Sequence, residues 1–145
     1  MQKPETNYGF VEWLSAEEMH EASVHWMSEL KFARDEQLFL NDLVRSHTVH
    51  LVDTAIFNES KKTIDALLKA EQEVVHLMKR VQSHENLLQI MVNDVDEPKM
   101  EKAYVETHWE LVSEVRNFML AYRQTKTRLF GLITKVMKKN KRLLT

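Results

Sequence analysis

The chain has 145 residues, of which 43% are hydrophobic and 29% charged, with a formal net charge of -2. This size and composition fit one globular domain. The chain contains no cysteine, which excludes disulfides, thiolate metal sites and cysteine nucleophiles. No segment approaches the roughly 18 uninterrupted apolar residues of a membrane span, and the first residues lack the pattern of a secretion signal. We therefore expect a cytoplasmic protein.

The first predicted helix begins at Ser15. Ser15 and Glu18 have the spacing of a capping box, in which each residue's side chain accepts a hydrogen bond from the other's backbone N–H. Residues 1–14 come before it and include three aromatic side chains, Tyr8, Phe10 and Trp13. We expect this N-terminal tail to pack on one end of a single helical domain that covers residues 15–145.

Two apolar stripes with alternating steps of three and four residues follow the cap, as is typical of core-facing helices. They predict helices over about 15–57 and 61–92. At 100° per residue the two stripes are out of phase by nearly half a turn, so one straight helix cannot bury both. A break must separate them, and we place it near Asn58 as the helix stop and Ser60 as the next N-cap.

A second break is predicted at residues 93–98, where Asx residues precede Pro98 and the periodicity is lost. Asp96 is the expected cap of a third helix over about 97–142. Gly131 inside that helix costs about 1 kcal/mol relative to alanine and suggests a close contact or a slight kink. Short connections make neighbouring helices antiparallel.

The predicted fold is therefore all-α: an elongated, antiparallel three-helix bundle with an up-down-up course and coiled-coil-like packing. It becomes a four-helix bundle if the first helix is broken. Helices of roughly 40 residues are about 60 Å long.

Histidine and carboxylate pairs raise the possibility of a metal centre, since Glu-x-x-His pairs on bundle helices bind di-iron sites. Glu17 with His20 and Glu73 with His76 have this spacing. In the expected hairpin, however, the two pairs lie roughly 40 Å apart. We interpret both as solvated helix surface.

His47 and His50 are three residues apart, which places both imidazoles on one helix face. The expected register sets Glu71 opposite His47, so we predict a contact between these two residues. A structural polar contact is the favoured interpretation. A metal or small-ligand site at His47, His50 and Glu71 is the alternative.

Three carboxylates, Glu71, Glu85 and Glu114, fall on or beside the predicted seams, and the register suggests Arg34 or His108 near Glu85. Charged side chains are rarely buried without a partner. These carboxylates either form structural pairs that fix helix alignment or line a ligand cavity, and the sequence leaves both open.

The net charge conceals a separation along the chain. The first 30 residues contain six glutamates against Lys3 alone, and no acidic residue follows Glu114. Nine cations follow Glu114 and are predicted to form a solvated basic face: Arg116, Arg123, Lys126, Arg128, Lys135, Lys138, Lys139, Lys141 and Arg142. Such a face suits self-association, an acidic partner protein, or an anionic polymer such as nucleic acid or a membrane surface.

No glycine-rich phosphate loop or nucleophile elbow occurs in the sequence, and no catalytic or cofactor-binding residue is assigned. The leading hypothesis is a noncatalytic bundle that acts through protein contacts, as a homo-oligomer or an adaptor. The metal or ligand site and the binding of an anionic polymer are the two alternatives.

Overall fold

The computed structural model describes residues 15–94 and 98–144. Within these ranges the chain is an all-α bundle with four helices and no strand: α1 (Ala16–Ser46), α2 (Thr48–Leu51), α3 (Phe57–Asp94) and α4 (Pro98–Leu144). The all-α prediction is confirmed. The first predicted helix is broken, and α2, a single turn, is the additional helix. Among the described residues, no helix has the length and hydropathy needed to cross a bilayer.

The predicted capping box is present at the start of α1. The backbone N–H of Ser15 donates to Glu18 Oε1 at 3.0 Å, and the backbone N–H of Glu18 donates to Ser15 Oγ at 3.0 Å. Pro98 begins α4, a position where the missing N–H removes no helical hydrogen bond. The predicted tail over residues 1–14 and the predicted cap Asp96 lie outside the described residues.

The predicted end of the first helix near residue 57 is wrong, because α1 ends at Ser46. His47 departs from helical geometry, with φ -116° and ψ 13°. Leu51 in α2 is nevertheless 2% exposed, so the short helix continues the apolar stripe after the break. The stripe alone could therefore not locate the helix end.

The turn that starts α3 is made by Asp53 rather than by the predicted stop and cap. Asp53 Oδ1 accepts from the N–H of Ala55 at 2.9 Å, and its carbonyl accepts from the N–H of Ile56 at 3.1 Å. Asn58 and Ser60 both lie within α3. The chain thus changes direction at an Asx turn formed by Asp53. This turn provides the break that was predicted from the phase difference between the first two apolar stripes.

The described helices divide into two compact units. Unit 1 contains the described residues of Met1–Phe32 and Val75–Asn117. Its core includes a cluster of four buried side chains with Trp109 packed against it: Met19, Leu88, Tyr104 and Val105. In unit 1 α3 and α4 are antiparallel, because the earlier α3 residue Arg80 contacts Glu114 while the later His84 contacts His108.

Unit 2 contains the described residues of Ala33–Val74 and Phe118–Thr145. Its fully buried side chains come from all three long helices and include Leu40, Leu67, Leu129 and Leu132. In unit 2 α1 and α4 are parallel, because Ala33 contacts Tyr122 and the later Glu36 contacts Lys126. Within unit 2, α1 and α4 thus run in the same direction, as an up-down-up course requires.

Gly131 makes none of the close contacts that the sequence suggested. It is exposed on α4, and a Cβ built at this position meets no other atom within 4 Å. The expectation of a close approach is wrong, and the surface position has room for a side chain.

Candidate functional site

The nine cations of the predicted basic face all lie on α4. Arg116 belongs to unit 1, and the other eight belong to unit 2. Three of those eight form ion pairs with other segments of unit 2: Lys126 with Glu36 at 2.9 Å, Lys135 with Glu59 at 3.7 Å and Lys139 with Asp53 at 2.9 Å. These three cations help to hold unit 2 together as well as carrying charge.

Other members of the basic face match the predicted solvated surface more closely. Arg123, Arg128 and Lys138 are exposed, and none of the three has an ion-pair partner among the described residues. Arg128 lines a cleft with residues of α3, whereas Arg123 is one turn before Lys126, on the side of α4 that faces α1. The side chain of Arg142 lies outside the described part of the chain.

Exposed apolar side chains accompany these cations in unit 2. Phe39 is 58% exposed, Phe130 44% and Met137 57%. Glu36 contacts Lys126, and Phe39 and Phe130 each come one turn later on these parallel helices. The two rings therefore lie at the same level beside the groove between α1 and α4. We call Phe39, Phe130 and Met137 the α1–α4 face.

Tyr122 joins α1 to α4 beneath this face. Its hydroxyl donates to Glu36 Oε1 at 2.7 Å and lies 3.3 Å from the carbonyl oxygen of Ala33. Lys126 Nζ lies 4.9 Å from the centre of the Tyr122 ring. Burial raises the pKa of Tyr122, and the hydrogen bond to Glu36 raises it further. The phenol therefore stays protonated and acts as a structural donor rather than a general base.

Unit 1 has a different polar feature, a pair of buried histidines between α3 and α4. His84 and His108 are 1% and 3% exposed, and His84 Nε2 lies 3.3 Å from His108 Nδ1. The Trp26 ring lies 4.8 Å from that of His108. Burial lowers the pKa of each histidine to about 4, with a smaller effect of Arg80 on His84 and of His84 on His108. Both imidazoles are neutral at neutral pH.

Each of the three seam carboxylates contacts a polar side chain of another helix. Glu71 accepts from Asn41 Nδ2 at 2.5 Å, and Glu114 contacts Arg80, which also lies 3.8 Å from Glu110.

Glu85 contacts His20 of α1, so the suggested partners Arg34 and His108 are wrong. Arg34 instead lies 3.9 Å from Asp35.

The predicted contact between His47 and Glu71 is absent. His47 Nδ1 lies 2.9 Å from the carbonyl oxygen of Leu43 on its own helix, whereas Glu71 binds Asn41. Among the described residues, no three His, Asp or Glu side chains come together as a metal-ligating group. His47, His50 and Glu71 are thus not part of such a group.

The two units carry opposite charge. The described residues of unit 1 include ten Asp and Glu against six Lys and Arg, a net charge of -4. Those of unit 2 include eight against thirteen, a net charge of +5. The charge separation seen along the sequence is thus also a separation between two packed units.

Sequence reasoning did not identify the buried histidine pair or the Tyr122 cluster. His84 lies between Val81 and Leu88 at the spacing of the apolar stripe. This spacing indicated that its side chain faces the core. No protein-family model, curated protein or solved structure matches the chain.

Proposed function

We propose that the protein is a noncatalytic helical bundle that acts through protein contacts, and that its partner is a second copy of itself. The observation that carries this proposal is the opposite charge of the two units, -4 and +5 over their described residues. Unit 1 of one copy and unit 2 of another attract each other over several ångströms, since such fields reach about one Debye length.

A noncatalytic role is supported by the state of the perturbed titratable groups. His84 and His108 are buried and neutral, and Tyr122 is held protonated beside Glu36. A general acid or base must reach the proton that it transfers. These side chains contact other side chains of the core instead, which is the behaviour of structural groups.

The α1–α4 face provides apolar area for such an association. Phe39 and Phe130 are aromatic, exposed and level with each other, and Arg123 lies on the same side of α4. Aromatic residues and arginine are the side chains most enriched in the energetic centres of protein interfaces. The face therefore combines an apolar centre with a positive rim that suits an acidic surface.

Reciprocal pairing gives the association a closed form. If unit 1 of each copy binds unit 2 of the other, one two-fold axis relates the two contacts. Both binding surfaces of each copy are then occupied. The product is a dimer rather than a filament. We take the dimer to be cytoplasmic, in keeping with the sequence analysis.

Light scattering on purified protein tests this proposal with matched variants. Phe130→Ser should weaken dimerisation at least tenfold, whereas Leu68→Ser, which removes a similarly exposed side chain from α3 of unit 2, should leave it unchanged. Arg123→Glu should weaken it more than Arg128→Glu, because the two variants change net charge equally but lie on different sides of α4. Equal effects within each pair would contradict the proposed face.

A further inference from the structure

We propose that the connection between α1 and α3 in unit 2 binds the surface of an anionic phospholipid bilayer. This is a second binding activity, separate from the proposed dimerisation and carried by different residues. It rests on the exposed apolar side chains of the connection and on the lysines packed around it.

The connection presents apolar side chains to solvent. Val49, in α2, is 80% exposed, and Val52 is 55% exposed. Phe57 follows at the start of α3 and is 44% exposed. Val49 is the most exposed large apolar side chain in the described part of the chain. Three such side chains within nine residues form an apolar tip.

The tip is held in place rather than loose. Leu51, between the two exposed valines, is buried in unit 2. Thr48 Oγ1 donates to the carbonyl oxygen of Val44 at 3.0 Å, and Lys139 binds Asp53 at 2.9 Å. The apolar side chains are therefore pre-organised, so little conformational entropy is lost when they enter the bilayer surface.

Lysines surround the tip. The contact between Lys139 and Asp53 brings the last turns of α4 beside the connection, and Lys135 and Lys139 line a cleft of about 300 Å³ with His50 and Asp53. The exposed lysines on these turns of α4 and on the first turns of α3 are Lys61, Lys62, Lys135, Lys138, Lys139 and Lys141.

Three carboxylates near the tip, Asp53, Glu59 and Asp65, pair with Lys139, Lys135 and Lys61 respectively. Lys62 and Lys138 are the remaining exposed lysines, so the tip keeps a net positive charge of two, apart from any contribution from His50 and Lys141.

This combination matches the interface of an anionic bilayer. Aliphatic and phenylalanine side chains enter the boundary between headgroups and acyl chains, and lysines around them bind anionic headgroups with their long stems lying along the apolar region. Nucleic acid is less suited to this tip, since sequence-independent binding of single strands relies on aromatic stacking platforms. Phe57 is the one aromatic side chain of the tip, and Val49 and Val52 provide no further platform.

Sedimentation with vesicles tests the inference on the full chain. Vesicles of phosphatidylcholine mixed with phosphatidylserine should bind the protein, and vesicles of phosphatidylcholine alone should bind it at least tenfold more weakly. The double variant V49S/V52S should lose at least tenfold in binding, and Lys138→Glu should lose severalfold. Leu38→Ser, which changes an exposed residue of α1 in the same unit, should bind like the wild type.

Three outcomes would overturn the inference: equal binding to both kinds of vesicle, no binding to the anionic vesicles at low salt, or unchanged binding by V49S/V52S. Retention by double-stranded DNA together with no vesicle binding would assign the lysines to nucleic acid instead. The particle mass of V49S/V52S should equal that of the wild type. Failure of membrane binding is therefore distinguishable from failure of the proposed dimerisation.

Discussion

Unit 1 buries a pair of imidazoles in its core in addition to its ion pair of Arg80 with Glu114, whereas unit 2 connects its segments through ion pairs and one buried tyrosine. In unit 1 the pair His84 and His108 is nearly inaccessible to solvent. In unit 2 the corresponding contacts, such as Lys126 with Glu36, remain half-buried. The same long helices therefore use two kinds of polar contact, and these respond to different conditions. The buried imidazoles should make unit 1 sensitive to pH, and the exposed ion pairs should make unit 2 sensitive to salt.

Acid should have the largest effect on stability, through unit 1. The unfolded chain binds protons at His84 and His108 near the ordinary pKa of 6.5, but the folded protein binds them only near pH 4. Between these values the unfolded state holds more protons, so the free energy of unfolding decreases as the pH falls from about 6.5 toward 4. We expect a loss of about 2 to 3 kcal/mol for each histidine, and so on the order of 5 kcal/mol for the pair, measured by urea unfolding across this range.

The double variant H84L/H108L isolates this effect. It removes both buried imidazoles, so it should lose markedly less stability than the wild type between pH 6.5 and 4. His76→Leu, at an exposed position of α3, should follow the wild-type profile. A wild-type profile that is flat over this range would contradict the assignment of buried, neutral histidines.

Loss of the Tyr122 hydroxyl should have the next largest effect. Tyr122→Phe removes the donor to the half-buried carboxylate of Glu36 and should cost about 1 to 2 kcal/mol, measured by chemical unfolding. Tyr104→Phe in unit 1 is the control, because Tyr104 is also buried but has no hydrogen bond to another described residue. If the two variants lose equal free energy of unfolding, the hydrogen bond from Tyr122 to Glu36 does not stabilise the fold.

Gly131→Ala should stabilise the protein. The exposed glycine has helical neighbours and open space around the new methyl group, so the substitution mainly reduces the entropy of the unfolded chain. We expect a gain of about 0.5 to 1 kcal/mol in the free energy of unfolding. A decrease in thermal midpoint would indicate that this turn of α4 makes a contact with the added methyl group.

Removal of one ion pair of unit 2 should have the smallest effect. Lys135 and Glu59 are both well exposed and 3.7 Å apart, so Lys135→Met should cost about 1 kcal/mol or less at low salt. The difference from the wild type should vanish at about 1 M salt, where the Debye length is about 3 Å. A cost that is independent of salt would show that packing of the lysine stem, rather than charge, stabilises this contact.

Much of the fold could be predicted from sequence because its signals are local. The capping box at Ser15 and the start of α4 at Pro98 depend on residues within one turn of each other. The end of α1 was misplaced because Leu51 keeps the apolar spacing past the break, and the Asx turn at Asp53 was overlooked. Helix periodicity gives the buried side of each helix but not the residue at which it ends.

The polar contacts were harder to predict because they depend on the register between helices. The misplaced break shifted the expected pairing, so Glu71 was assigned to His47 instead of Asn41. His47 and Asn41 are six residues apart, which is about 9 Å or nearly two helical turns, and an error of that size exchanges one partner for another. The burial of His84 was indicated only by its position on the apolar stripe, which the exposed His76 does not share, and its contact with His108 depends on the register between α3 and α4.

The mass of the wild-type protein as a function of salt tests the proposed self-association most directly. Light scattering at about 0.05 M salt should give the mass of a dimer, and at about 1 M salt it should give the mass of a monomer, because screening removes the attraction between oppositely charged units. A monomer at low salt, or the same dimer at both concentrations, would contradict an association driven by the charges of unit 1 and unit 2.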